Sequence, residues 1–156
     1  MDTVEFNSRN HEILNSLENT ISLEIQKAIV SLKRNNWSMI KKMPHPPLIV
    51  KEIFEWIYYL LYLSELDYYN NLETVSMILT NLQWIDVRAS VFGTWGRFGK
   101  DIQEFADQKL TKLGTKKLER IHRAWEEIGS NIRDESKVRN VSKEVGAFSK
   151  LLVVMM

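Results

Sequence analysis

Few residues in this chain have the type and spacing to do chemistry, and they do not converge. The histidines His11, His45 and His122 fall in separate segments, and none has a second ligand at the i+3 or i+4 spacing that a metal site on a helix uses. There is no cysteine, so neither a thiolate nucleophile nor a disulfide framework is available. Glu126 and Glu127 are adjacent and point to different parts of a helix surface, which does not make an acid/base pair. The stretch Phe92-Gly93-Thr94-Trp95-Gly96-Arg97-Phe98-Gly99-Lys100-Asp101 invites comparison with a phosphate loop. It lacks the first glycine, since Thr94 stands five before Gly99, and Asp101 replaces the hydroxyl residue after the lysine. No catalytic residue, cofactor or metal is expected.

The basic residues are better organised. Lys109, Lys112, Lys116, Lys117, Arg120 and Arg123 fall within one stretch opposed only by Glu119, and Arg133, Lys137, Arg139, Lys143 and Lys150 follow. Each alone reads as solvation; together they suit an acidic partner. The net charge is only +1, and the aromatic residues lie on faces expected to be buried, so a nucleic-acid stacking platform is not expected.

The elements that must position these residues read as helices. Six glycines and three prolines cluster, and the segments between them carry helical periodicity without convincing strand pairs. One helix is expected from about Ser8 to Met43. Its apolar residues Leu14, Leu17, Ile21, Ile25, Ala28 and Leu32 step by three, four, four, three and four, a narrow seam close to a coiled-coil heptad. Pro44-His45-Pro46-Pro47 stops it, and the two prolines can open the next helix, which runs to about Leu66. A loop over 67–71, a third helix from Leu72 to Ile85 and an irregular glycine-punctuated stretch from Val87 to Lys100 follow. Further helices are expected over 101–113 and 115–128, ended by Gly114 and Gly129, and a last one runs from about Glu135 off the end. No segment is apolar for the ~20 residues of a membrane span, and no secretory signal opens the chain.

Two stretches carry a resemblance. Leu23-Glu24-Ile25-Gln26-Lys27-Ala28-Ile29-Val30-Ser31-Leu32-Lys33 leads through Ile40-Lys41-Lys42-Met43 to Pro46-Pro47-Leu48-Ile49-Val50-Lys51-Glu52 and an apolar helix. Near the other end stands Val138-Arg139-Asn140-Val141-Ser142-Lys143-Glu144-Val145-Gly146-Ala147-Phe148-Ser149-Lys150-Leu151. Together they resemble the stalk tip of a dynein heavy chain, with the first coiled-coil arm running into the first helix of the microtubule-binding domain and the last helix leading back out. The chain departs from that family at Asn140, where arginine is frequent, and at Leu151, where tryptophan is usual.

The resemblance implies an all-α fold, a small helical bundle at the end of an antiparallel coiled-coil stalk. It divides the chain into a first arm over 1–43, a bundle over 44–140 and, over 141–156, a last helix entering the second arm. It implies a non-catalytic module whose partners are the microtubule (α/β-tubulin) and the rest of the heavy chain, with the motor's ATPase elsewhere. Cytoplasm and cytoskeleton are the implied location, with a ciliary or flagellar axoneme as the more specialised setting; neither nucleic acid nor membrane is implied. Lys51, Arg139 and Lys143 match or flank the family's basic contact positions, Arg88 and Arg97 extend them, and Pro46 and Pro47 mark the stalk junction. In that family the registry of the two arms switches affinity. A helical scaffold module that pairs through residues 8–43 with another chain would also account for the seam and the core.

Overall fold

The computed structural model describes residues 23–141 and 143–156. Among them every regular element is helical and there is no strand. Helical turns over 23–31 form α1. They are followed by α2 (Arg34–Lys41), α3 (Leu48–Tyr58) with a π turn over Tyr59–Leu63, α4 (Leu72–Asn81) and α5 (Trp84–Val91). The long α6 (Trp95–Ile128), α7 (Glu135–Val141), a 3-10 turn over Lys143–Val145 and α8 (Gly146–Met155) complete the chain.

Local chemistry sets several of these boundaries. Pro47 is extended (φ −53°, ψ 150°) and precedes the first helical residue of α3, and its carbonyl accepts from the Lys51 amide at 3.0 Å. The Asn71 side chain caps α4 by accepting from the Thr74 amide at 2.9 Å, and Thr94 caps α6 by accepting from the Arg97 amide at 3.2 Å. Gly114 adopts φ 79° and ψ 165°, a conformation open to glycine, and kinks α6 where the sequence leads one to expect a break between two helices.

Four expected elements are divided differently. The helix expected from Ser8 to Met43 is interrupted at Leu32 and Lys33, with Lys33 extended (φ −103°, ψ 121°). The interruption lets α2 turn Trp37 and Ile40 into the core, where the Trp37 ring lies 5.3 Å from Phe92 and 5.6 Å from Trp95. The helix expected from Leu72 to Ile85 is broken at Leu82 and Gln83, both extended. That break swings Trp84 round so that its indole donates to the Met43 carbonyl at 2.8 Å. The stretch expected to be irregular, Val87 to Lys100, is mostly helical, and only 92–94 separates α5 from α6. The last helix is likewise divided by the 3-10 turn ahead of Gly146. A methyl group there would meet Arg139 Cγ at 2.6 Å, so glycine admits the close approach of α7 to α8.

The core is one cluster centred on α3. Ile53, Phe54 and Ile57 are fully buried, the Phe54 ring lies 4.7 Å from Phe92 and 5.1 Å from Phe148, and Trp56 meets Trp125 edge to face at 5.2 Å. Each such side chain contributes roughly 1.5–3 kcal/mol by leaving water. Of the expected seam, Ile25, Ala28 and Leu32 are buried in this same cluster, while Leu14, Leu17 and Ile21 lie outside the described residues. α8 is buried there too, through Phe148, Leu151, Leu152 and Met155. The first turns of α6 receive both segments: Gly99 lies against Ile29 of α1, and Phe98 lies 6.2 Å from Phe148 of α8.

Candidate functional site

The start of α3 carries a lysine, Lys51, three residues after an exposed apolar side chain, Leu48. Since Pro47 fixes where the helix begins, Lys51 falls in its first turns, half-buried along its stem. It lines a cleft of about 320 Å³ together with Glu52, Glu55 and Ser76. On the other side of the same turns, Pro47, Leu48 and Glu52 form a second groove with Asn131 and Lys137. Leu48 and Glu52 belong to both, so Lys51 and Lys137 flank one ridge whose tip is Leu48, an apolar side chain 70% exposed.

Arg139 follows on α7 and is exposed, with its stem over Gly146. Lys143 is exposed in the 3-10 turn. The other expected contacts sit elsewhere. Arg97 is exposed and pairs with Asp101 at 3.5 Å, beside the loop where Lys41 donates to the Gly93 carbonyl at 3.0 Å. Arg88 is half-buried on α5. Lys51 and Lys137 thus line neighbouring grooves that share Leu48 and Glu52, Arg139 and Lys143 follow Lys137 along the chain, and Arg97 lies by the Gly93 loop that Lys41 contacts.

Two acids modulate this surface. Glu55 is 8% exposed, and burial pushes its carboxyl up to about 7, with the nearby Lys51 charge opposing the shift. Burial raises Glu52 as well. With the Glu55 carboxyl drawn toward its neutral form, the negative charge that would offset Lys51 is weakened near neutral pH.

Compared with known proteins, the chain matches no family model, no curated protein and no solved structure.

Most of the cluster over 109–123 makes contacts to neighbouring groups of the chain, largely at its surface. Lys109 is half-buried and donates to the Met155 carbonyl at 3.0 Å, with burial lowering its pKa, so it ties the end of α8 to α6. Lys112 pairs with Glu65 at 3.5 Å, Lys117 lies over the Tyr68 ring at 5.9 Å, and Arg120 donates to the Tyr69 carbonyl at 3.3 Å. His122 contacts Glu126 at 3.1 Å on the surface. Among the described residues, no group of three or more His, Cys, Asp or Glu side chains could hold a metal ion, and no helix is long and apolar enough to cross a membrane. Charge complementarity and a small apolar contact are what the α3–α7 surface offers. The position of Lys137 and the exposure of Leu48 were not evident in the sequence. Both depend on how α7 lies against α3, and no local spacing encodes that.

Proposed function

We propose that this chain is the microtubule-binding stalk tip of a dynein motor, a non-catalytic module that docks on the acidic tubulin surface through α3, α7 and the turn after it. The sequence resemblance brackets the chain at both ends. The observation that carries the reading is the placement of basic side chains: Lys51, a position the resemblance matches, and Lys137, which it does not, flank the ridge at the start of α3, directly after the proline pair, and the expected Arg139 and Lys143 follow. The convergence of α1 and α8 on Phe98 and Gly99 supports the reading too, since a stalk tip requires its incoming and outgoing segments to meet.

On this reading Pro46 and Pro47 set the angle between the arriving segment and the docking helix. Lys51, Lys137, Arg139 and Lys143 steer encounter and fix register, and Leu48 is the apolar contact between them. Arg97 and Arg88, placed elsewhere on α6 and α5, would be secondary contacts outside this surface. Arm registry controls affinity by shifting α1 and α8 against α6, and with them the α3–α7 surface. Cross-links that fix the arms in alternative registers would then give different microtubule affinities, and equal affinities would remove registry from the account.

Charge reversal tests the docking face. Lys51→Glu and Lys143→Glu are each expected to weaken cosedimentation with microtubules about tenfold, equivalent to ~1.4 kcal/mol, while circular dichroism stays unchanged. Arg139 is a poorer choice, because its stem packs on Gly146 and folding and binding effects would mix. Unchanged binding in both variants would exclude this face.

A further inference from the structure

The loop between the π turn and α4 is fastened from inside and apolar outside. Tyr59 donates to Asp67 Oδ2 at 2.8 Å, and Thr74 donates to the same oxygen at 3.0 Å. The Asn70 amide donates to Tyr59 Oη at 2.9 Å and to the Ser64 carbonyl at 2.8 Å. The Tyr69 amide donates to Asp67 Oδ1 at 3.2 Å. Asp67, Asn70, Tyr59 and Ser64 are all buried. This network spends its polar groups inward and leaves large apolar side chains outside: Leu66 is 78% exposed, Tyr68 77% and Tyr69 57%. The two rings brace each other edge to face at 5.0 Å, so they stand as fixed anchors with little rotamer freedom to lose on contact.

The charge around these anchors is mainly positive, although Glu119 is exposed on the same turns of α6 and Glu73 at the start of α4. Asp67 is turned into the network, and Glu65 is paired with Lys112. Lys117 lies over Tyr68 and Arg120 reaches the Tyr69 carbonyl, with Lys116 exposed beside them on α6. We propose that this loop and the facing turns of α6 form a docking surface for an acidic peptide segment that carries apolar side chains between its carboxylates. The carboxylates meet Lys116, Lys117 and Arg120, and the apolar side chains cover Leu66, Tyr68 and Tyr69. A single-stranded nucleic acid fits less well, because it needs ring faces presented in succession, whereas these rings meet at 86° and Lys117 covers one face.

The surface is separate from the α3–α7 ridge. Lys51 stands near the start of α3 and the loop follows its far end, about 18 Å away at 1.5 Å per residue over residues 51–63. The inference therefore does not depend on microtubule binding, and each can fail alone.

Fluorescence anisotropy with a labelled peptide of four Glu-Glu-Leu repeats tests it, with a Lys-Lys-Leu peptide and a single-stranded oligothymidine as comparisons. The acidic peptide is expected to bind and the basic one not. Lys117→Glu and the double variant Tyr68→Ala/Tyr69→Ala should each weaken binding about tenfold, while Lys51→Glu should leave it unchanged. Lys117→Glu keeps the buried network, so it remains decisive if the double variant folds poorly. No binding of the acidic peptide, equal binding to all variants, or tighter binding of the oligothymidine would overturn the proposal.

Discussion

Glu55 is a buried carboxyl in the middle of α3. Its folded pKa of about 7 stands above the ordinary value of 4.5 because burial disfavours the charged form. The folded chain therefore binds more protons than the unfolded chain between those two values, and stability falls as pH rises from about 4.5 to about 7. The groups around it, Lys51 and Glu52 on α3 and the Ser76 and Thr80 hydroxyls on α4, set the size of the effect. Glu55→Gln should remove this contribution. Urea unfolding at pH 8 should show the variant more stable than the parent by roughly 1–3 kcal/mol, with a much smaller difference at pH 5. A difference that does not change between the two pH values would show that Glu55 is not held neutral by burial.

Helix ends here are set by two kinds of cause, and only one is legible in a sequence. Gly114, Gly129 and Pro47 mark boundaries through their own backbone chemistry, and the sequence locates all three. The breaks at Lys33 and at Leu82–Gln83 involve ordinary residues and arise because Trp37 and Trp84 have partners elsewhere, the Phe92 ring and the Met43 carbonyl. Periodicity continues through both breaks and cannot report them. The all-α class and the apolar face of α3 were legible for the opposite reason, since Val50, Ile53, Phe54 and Ile57 follow one helical period and all are buried. At the site, Lys51 was located by the prolines before it, whereas the Lys137 neighbour needed the packing of α7. Gly129 offers a test at this scale. A methyl group there would lie 2.6 Å from both the Trp125 carbonyl oxygen and its ring, and backbone cannot yield as a side-chain tip can. Gly129→Ala is expected to destabilise the fold by about 1–3 kcal/mol in thermal or urea unfolding. A loss below about 0.5 kcal/mol would mean that the end of α6 relaxes freely.

Across the whole molecule, the incoming and outgoing segments belong to the same core as the bundle. Ile25 is fully buried on α1, and Leu151 and Leu152 are fully buried on α8. Ile25→Ala should therefore cost about 2–5 kcal/mol of global stability in a single cooperative transition, as for any core truncation. A local loss confined to α1, with the rest of the chain unfolding as before, would instead mark the segment as an independent arm. On the stalk-tip proposal, such coupling would let movement of the segments reach the α3–α7 surface. Microtubule docking is the central claim, and direct saturation binding tests it most simply. The unmodified chain is mixed with stabilised microtubules and sedimented at salt from about 25 to about 150 mM, a range over which screening between exposed charges increases strongly. The account predicts saturable pelleting at low salt that weakens steadily as salt rises, and weaker binding to microtubules stripped of surface acidity. Absence of pelleting at every salt concentration, or pelleting indifferent to salt, would contradict it.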